Sequence, residues 1–96
     1  MTCMTEGERE IVLGILSRWV PGVAVKAFGS RTRNRPKKWS DLDLALMTDT
    51  PVPPATMTML RLDFSESDLP WQVDVLDWTR ASESFKESIA SDLTPL

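Results

Sequence analysis

The stretch GSRTRNRPKKWSDLDLAL, residues 29–46, decides the predicted fold of this chain. Its glycine-serine start interrupts VAVKAF, residues 23–28, an apolar and β-branched run that predicts a first strand. Its end belongs to DLDLALM, residues 41–47, where the leucines alternate with Asp41, Asp43 and Ala45, which predicts a second strand. The sequence therefore predicts two strands whose connection carries a bend, a basic segment and two acids.

Helical patterns lie on both sides of this stretch. Thr5-x-x-Glu8 is a capping box, which predicts that a helix begins there, and Pro21-Gly22 predicts its end. Pro53-Pro54 favours the start of a second helix. Apolar residues at helical spacing predict the buried faces of these two helices: Ile11, Val12, Ile15, Leu16 and Trp19 in the first, and Met57, Leu60 and Phe64 in the second.

The C-terminal third predicts one more strand and one more helix. The run WQVDVLDW, residues 71–78, is typical of a strand, and a helix is expected from about Thr79, buried through Phe85, Ile89 and Leu93. With a short helical turn before Ser40, the predicted order is α-β-(α)-β-α-β-α. This order indicates an α/β or α+β fold, a small mixed β-sheet flanked by helices, with residues 1–96 as a single domain.

Composition narrows the chemistry that this chain can perform. The 96 residues include no histidine and one cysteine, which excludes His-ligated zinc, Ser-His-Asp triads, thiolate metal sites and internal disulfides. Catalytic proposals therefore fall mainly on carboxylates, lysines, arginines and hydroxyls. The sequence shows neither a bilayer-spanning apolar run nor a signal peptide, so a cytoplasmic protein without membrane contact is expected.

The positive charge of the chain is concentrated in one segment. The net charge is −3, yet residues 31–38, RTRNRPKK, carry five cations and no acid. A general nucleic-acid binder spreads its positive charge over a wider face, so direct nucleic-acid binding is not expected. A short basic loop suits a small polyanion such as a triphosphate, or an acidic partner surface. The alternative is a solvated loop that contributes only solubility.

Asp41 and Asp43 are candidate metal ligands. They lie two residues apart on a strand, so both carboxylates leave the same face, with Cα atoms about 6.5 Å apart. Mg²⁺ prefers oxygen ligands and commonly takes one or two carboxylates together with substrate phosphates. Taken alone, an Asp-x-Asp pair is more often the polar face of a solvent-exposed strand.

Two further features accompany this pair. Gly29-Ser30 precedes Asp41 by ten intervening residues, and glycine at a strand end lets the backbone approach a ligand, although it can equally form a simple turn. Asp74 lies within an apolar run, where a buried carboxylate is costly unless it is paired or metal-bound; an edge-exposed strand residue is the alternative. Asp77 is expected to point to the opposite face and cap a helix.

Gly-Ser, ten residues and Asp-x-Asp together resemble the signature of the minimal nucleotidyltransferases of the DNA polymerase β superfamily, and LPWQVDVLDW resembles that family's third-carboxylate strand. The resemblance implies the nucleotidyltransferase fold and Mg²⁺-dependent transfer of a nucleoside monophosphate, with release of pyrophosphate. It implies that Gly29, Ser30 and Arg31 bind the phosphates of ATP or another NTP. It further implies that Asp41, Asp43 and Asp74 are the catalytic carboxylates that hold one or two Mg²⁺ ions.

The resemblance also implies a partner. Relatives that carry a separate helical domain bind their acceptor with it, whereas a minimal chain is expected to act on a helical HEPN-type toxin, as its antitoxin, by adenylylating it (AMPylation). Two alternatives stay open: an antitoxin that acts by occlusion without catalysis, and a nucleotidyltransferase for a small hydroxylated molecule. This sequence departs from the frequent Gly-Ser-Arg-Ala-x-Gly pattern at Thr32 and Asn34, which affects the loop and leaves the spacing of the carboxylates intact.

Overall fold

The computed structural model describes residues 4–29 and 42–96, and forms a four-stranded sheet with helices packed against it. The elements are α1 (Glu6–Trp19), β1 (Ala24–Phe28), β2 (Leu42–Met47), α2 (Pro54–Ser65), β3 (Val73–Asp77), a 3₁₀ turn (Trp78–Arg80), α3 (Glu83–Ile89), a 3₁₀ turn (Ala90–Asp92) and β4 (Thr94–Pro95). The sheet order is β3-β2-β1-β4; β2 and β3 are parallel, and the other neighbouring pairs are antiparallel. The predicted α/β fold with a mixed sheet is confirmed.

The first helix begins where the capping box predicts. Thr5 Oγ1 accepts a hydrogen bond from the Glu8 backbone N–H at 3.1 Å, and Glu8 Oε1 accepts one from the Thr5 N–H at 2.9 Å. These bonds satisfy two donors that a helix start otherwise leaves unpaired. The chain leaves α1 at Val20 and turns at Gly22, whose φ of 77° suits glycine.

The core lies between one face of the sheet and the two long helices. Leu42, Leu44 and Leu46 of β2 are fully buried, since β2 is flanked by strands on both sides and covered by α1 and α2. The helices contribute the residues whose spacing predicted burial, namely Val12, Leu16, Met57, Leu60 and Phe64. Because period-2 alternation turns these leucines inward, it turns Asp43 to the other face of the sheet.

A polar contact ties α1 to α2 at the rim of the core. The indole Nε1 of Trp19 donates to Asp63 Oδ2 at 2.5 Å, and Arg18 lies 3.3 Å from the same carboxylate oxygen. Arg18 is largely exposed, so its ion pair with Asp63 adds little to stability. The indole bond is partly buried and sets how the two helices lie on the sheet.

The C-terminal region differs from the sequence prediction in three respects. The expected continuous helix from Thr79 is a 3₁₀ turn followed by α3, since the Ser82 side chain caps a new start by accepting from the Phe85 N–H. Phe85, expected to be buried, is 41% exposed. The two-residue β4 was not predicted. The helical turn expected before Ser40 lies outside the described residues.

None of the helices in residues 4–29 and 42–96 has the length and apolar character that crossing a membrane requires.

Candidate active site

The candidate site lies on the face of the sheet opposite the two long helices, where β1, β2 and β3 meet. Phe28 at the end of β1 pairs with Asp43 of β2, and Asp43 pairs with Asp74 of β3. Paired residues on adjacent strands direct their side chains to the same face. The structure therefore brings Asp43 and Asp74 side by side, as the sequence analysis expected.

Gly29 lies against the carboxylate of Asp43. Its φ is 87°, in the left-handed region that side chains disfavour, and a Cβ atom built on Gly29 would stand 2.5 Å from Asp43 Oδ2. A β-carbon at that distance overlaps the oxygen, so residue 29 must be glycine for Asp43 to keep its position. The sequence analysis expected a close backbone approach to a ligand here; the structure shows a close approach to a site carboxylate.

Asp74 is exposed, because β3 forms the edge of the sheet and leaves this face open. The sequence argument that Asp74 is a costly buried carboxylate is therefore wrong, and the alternative of an edge-exposed strand residue is what the structure shows. Its place in the site follows instead from its register opposite Asp43. Asp43 is half-buried between β1 and β3, so the two carboxylates differ in their access to solvent.

Asp77 belongs to the opposite face and has a structural role, as expected. Its carboxylate is 4% exposed and accepts hydrogen bonds from the Val52 N–H at 2.8 Å and from the N–H and hydroxyl of Thr79 at 3.0 and 2.7 Å. Burial raises the pKa of Asp77, but the hydrogen bonds from Thr79 and Val52 and the charge of Arg80 outweigh it, so the net pKa is lowered.

The other predicted site residues, Ser30, Arg31 and Asp41, lie outside the described residues, as does the rest of the basic segment. Within the described ranges no group of three histidine, cysteine, aspartate or glutamate side chains could hold a metal ion. What the described part supplies is two adjacent carboxylates. Oxygen donors of this kind suit Mg²⁺, and two neighbouring anions repel each other unless a cation lies near both. The residues present thus fit a magnesium ion.

A groove of about 840 Å³ begins at Asp74 and runs along the free edge of β3, beside α2. Trp71 and Val73 contribute apolar walls, and Arg61 reaches from α2 to within 3.4 Å of the Val75 carbonyl oxygen. The sequence analysis missed Arg61, and no local signal distinguishes it from an ordinary surface arginine on a helix. Asp74 thus belongs both to the candidate site and to the lining of this groove.

Two tryptophans lie just before and just after β3. Trp71 is 7% exposed and packs in the core cluster. The ammonium group of Lys86 lies over the ring of Trp78, 5.4 Å from the ring centroid. Trp39 lies outside the described residues.

Comparison with known proteins agrees with the fold. Residues 20–95 match the family described as polymerase beta, nucleotidyltransferase. The chain is 50% identical over 82 residues to a curated Haemophilus influenzae protein, "Probable protein adenylyltransferase MntA"; the match covers 85% of this chain and 72% of that protein.

Solved structures share the fold at lower identity. One, described as a toxin-antitoxin with AMP-PNP, matches 92% of this chain and 70% of its own, with a TM-score of 0.75 and 20% identity. Another, tri-AMPylated Shewanella oneidensis HEPN toxin in complex with MNT antitoxin, covers 96% and 71%, with a TM-score of 0.71 and 18% identity. From the family match and the 50% identical relative together, the chain belongs to the polymerase β nucleotidyltransferases.

Proposed function

We propose that this chain is a Mg²⁺-dependent protein adenylyltransferase that transfers AMP from ATP to a hydroxyl group of a HEPN-type toxin and thereby acts as its antitoxin. Two kinds of finding support the proposal. The 50% identical relative is named as a probable protein adenylyltransferase, and one structure of the same fold is described as a tri-AMPylated HEPN toxin in complex with an MNT antitoxin. The observation that carries it is the pair of Asp43 and Asp74 on one open face, with Gly29 packed against Asp43.

In the proposed site, different strands of the sheet supply the groups for the triphosphate, the metal and the acceptor. Gly29, with Ser30 and Arg31 after it, would hold the triphosphate on the β1 side. Asp43, together with Asp41, would hold magnesium, which supplies positive charge at the reacting phosphate. Asp74, on the β3 side beside the groove, would orient the acceptor hydroxyl and accept its proton.

The proposed reaction is an in-line displacement. The acceptor oxygen forms a bond to the α-phosphorus of ATP as its proton passes to the Asp74 carboxylate. The bond from the α-phosphorus to the bridging oxygen breaks, and pyrophosphate leaves with that oxygen. This chemistry needs mainly positioning and charge neutralisation, which the carboxylates with their bound magnesium, a phosphate-binding bend and a held acceptor would supply together.

A transfer assay tests the proposal. The chain is incubated with its HEPN-type partner, Mg²⁺ and α-labelled ATP; label should appear on the partner, and should be lost when EDTA removes the metal. Asp43→Asn, which keeps the shape of the side chain and removes its charge, should reduce labelling by at least about a hundredfold. The matched control is Asp49→Asn, an exposed aspartate that should transfer at the wild-type rate.

Neutralisation of the toxin separates the remaining possibilities. If Asp43→Asn protects cells from the toxin as fully as the wild type, the antitoxin works by occlusion and the proposed role of catalysis is wrong. If the complex labels small hydroxylated molecules and leaves the partner unlabelled, the acceptor assignment is wrong. Labelling of the partner that survives Asp43→Asn would contradict the assignment of the site itself.

A further inference from the structure

One aromatic side chain beside the carboxylates stays open to solvent. Within the described residues Phe85 and Leu62 are the exposed large apolar side chains, at 41% and 44%. Ile89 lies four residues after Phe85, on the same face of α3, yet it is only 9% exposed. The C-terminal end of this face of α3 is therefore more deeply buried than its N-terminal end.

Phe85 lies close to the candidate site. The rings of Phe85 and Phe28 meet edge to face, with centroids 6.1 Å apart and an interplanar angle of 82°. Phe28 is paired with Asp43, so its ring lies on the carboxylate-bearing face of the sheet, and it directly precedes Gly29. Phe85 is thus placed over the β1 side of the site, next to the bend proposed to hold the triphosphate.

Contacts of its neighbours hold Phe85 in this position. The Ser82 side chain accepts the Phe85 N–H at 3.2 Å, and Lys86 lies over the Trp78 ring and 3.6 Å from Glu83. With Ile89 buried at the other end, the backbone of α3 is fixed without any need to bury the ring of Phe85. Phe85 therefore keeps 41% of its surface exposed while these contacts hold the helix that carries it.

The two sides of the site differ in what they can receive. The groove along β3 begins at Asp74 and, at about 840 Å³, has room for a side chain of a protein acceptor. Phe28 and Phe85 lie on the other side of Asp43, across the sheet order β3-β2-β1. If the triphosphate binds at Gly29 and the acceptor at Asp74, the nucleoside of the substrate would bind in the region near α3.

We propose that Phe85, in edge-to-face contact with Phe28, is the stacking surface for the base of the nucleotide. The inference rests on the proposed function and adds to it a residue that contacts the base. An aromatic ring stacks on the π-face of any base and contributes about tenfold or more to affinity. Purines offer the larger face, so Phe85 favours ATP and GTP over CTP and UTP without distinguishing adenine from guanine.

The test measures nucleotide dependence of transfer in the complex with the partner. Phe85→Ala and Phe85→Leu should raise the KM for ATP about tenfold with little change in kcat, and should reduce the preference for purines. Phe85→Trp should keep both the KM for ATP and the preference for purines near the wild-type values. Inorganic tripolyphosphate, which has no base, should inhibit all variants with the same constant. Leu62→Ala is the matched control, an equally exposed apolar side chain on α2 that should leave every value unchanged.

Two results would overturn the inference. An unchanged KM for ATP in Phe85→Ala would show that the ring does not contact the nucleotide. A tripolyphosphate constant that rises in step with the KM for ATP would show that Phe85 supports the site structurally and does not bind the base. If the wild type transfers no label, the proposed function fails; calorimetry of Mg-ATP binding to wild type and Phe85→Ala then decides the stacking role by itself.

Discussion

At the scale of single residues, Gly29 is the position that the site constrains most tightly. Its backbone is left-handed, and the space where a side chain would begin is taken by the carboxylate of Asp43. Gly22 shares the left-handed backbone, with a φ of 77°, but a Cβ built there meets nothing within 4 Å. Comparing substitutions at Gly29 and Gly22 therefore distinguishes the effect of backbone strain from the effect of a clash with Asp43.

We expect Gly29→Ala and Gly22→Ala to lose similar folding stability, about 1–2 kcal/mol, because each forces a side chain into the left-handed region. Only Gly29→Ala should also displace Asp43 and slow AMP transfer, by about a hundredfold. Denaturant unfolding and the transfer assay measure the two effects. Equal transfer rates in the two variants would show that the contact between Gly29 and Asp43 has no part in catalysis.

At the scale of secondary-structure elements, Asp77 joins the end of β3 to the segment before α2. Asp77→Asn should cost about 1–3 kcal/mol of unfolding free energy near pH 7, because the buried acceptor of the Val52 and Thr79 hydrogen bonds loses its charge. Asp68→Asn removes the same charge from an exposed loop residue and should cost little.

The effect of Asp77 should depend on pH in a defined direction. Its pKa is lowered in the fold from the ordinary 3.8, so its contribution is present above about pH 4 and disappears as the pH falls through the lowered value. Unfolding curves of wild type and Asp77→Asn should therefore differ at neutral pH and converge in acid. A difference in unfolding free energy that grows as the pH falls would contradict the conclusion that Asp77 is stabilised as a charged, hydrogen-bonded carboxylate.

The two faces of α2 give a second prediction for an element. Leu60 is fully buried against β2, and Leu62, two residues on, is 44% exposed. Leu60→Ala should cost about 2–5 kcal/mol of unfolding free energy through lost contacts and the cavity it leaves, whereas Leu62→Ala should cost less than about 0.5 kcal/mol. Comparable losses in the two variants would mean that α2 packs on the sheet in a different rotation.

Elements with a local signal were predictable, and those set by distant contacts were not. Apolar spacing in α1 and α2 and alternation in β2 lie within the sequence of each element, so their buried faces could be predicted. Strand β4 has two residues and exists because Thr94 and Pro95 pair with β1, far away in the chain. Phe85 shows the same limit: its spacing matches Ile89, yet Phe85 is 41% exposed and Ile89 only 9%.

At the scale of the whole molecule, the order of the strands arranges the site. Parallel pairing of β2 and β3 places Asp74 opposite Asp43, and antiparallel pairing of β1 places Phe28 and Gly29 on the other side of Asp43. The family resemblance implied that Gly29, Asp43 and Asp74 belong to one site. It predicted neither the groove beside Asp74 nor its exposure, because both arise from β3 being the edge of the sheet.

The central claim is that Asp43 and Asp74 act as a unit in AMP transfer. A double-mutant cycle tests it most directly: transfer rates to the partner are measured for wild type, Asp43→Asn, Asp74→Asn and the double variant. If the carboxylates serve one reaction step, each single variant should lose about a thousandfold and the double variant should be no slower than either. Losses that multiply in the double variant, or a wild-type rate in Asp74→Asn, would contradict the claim.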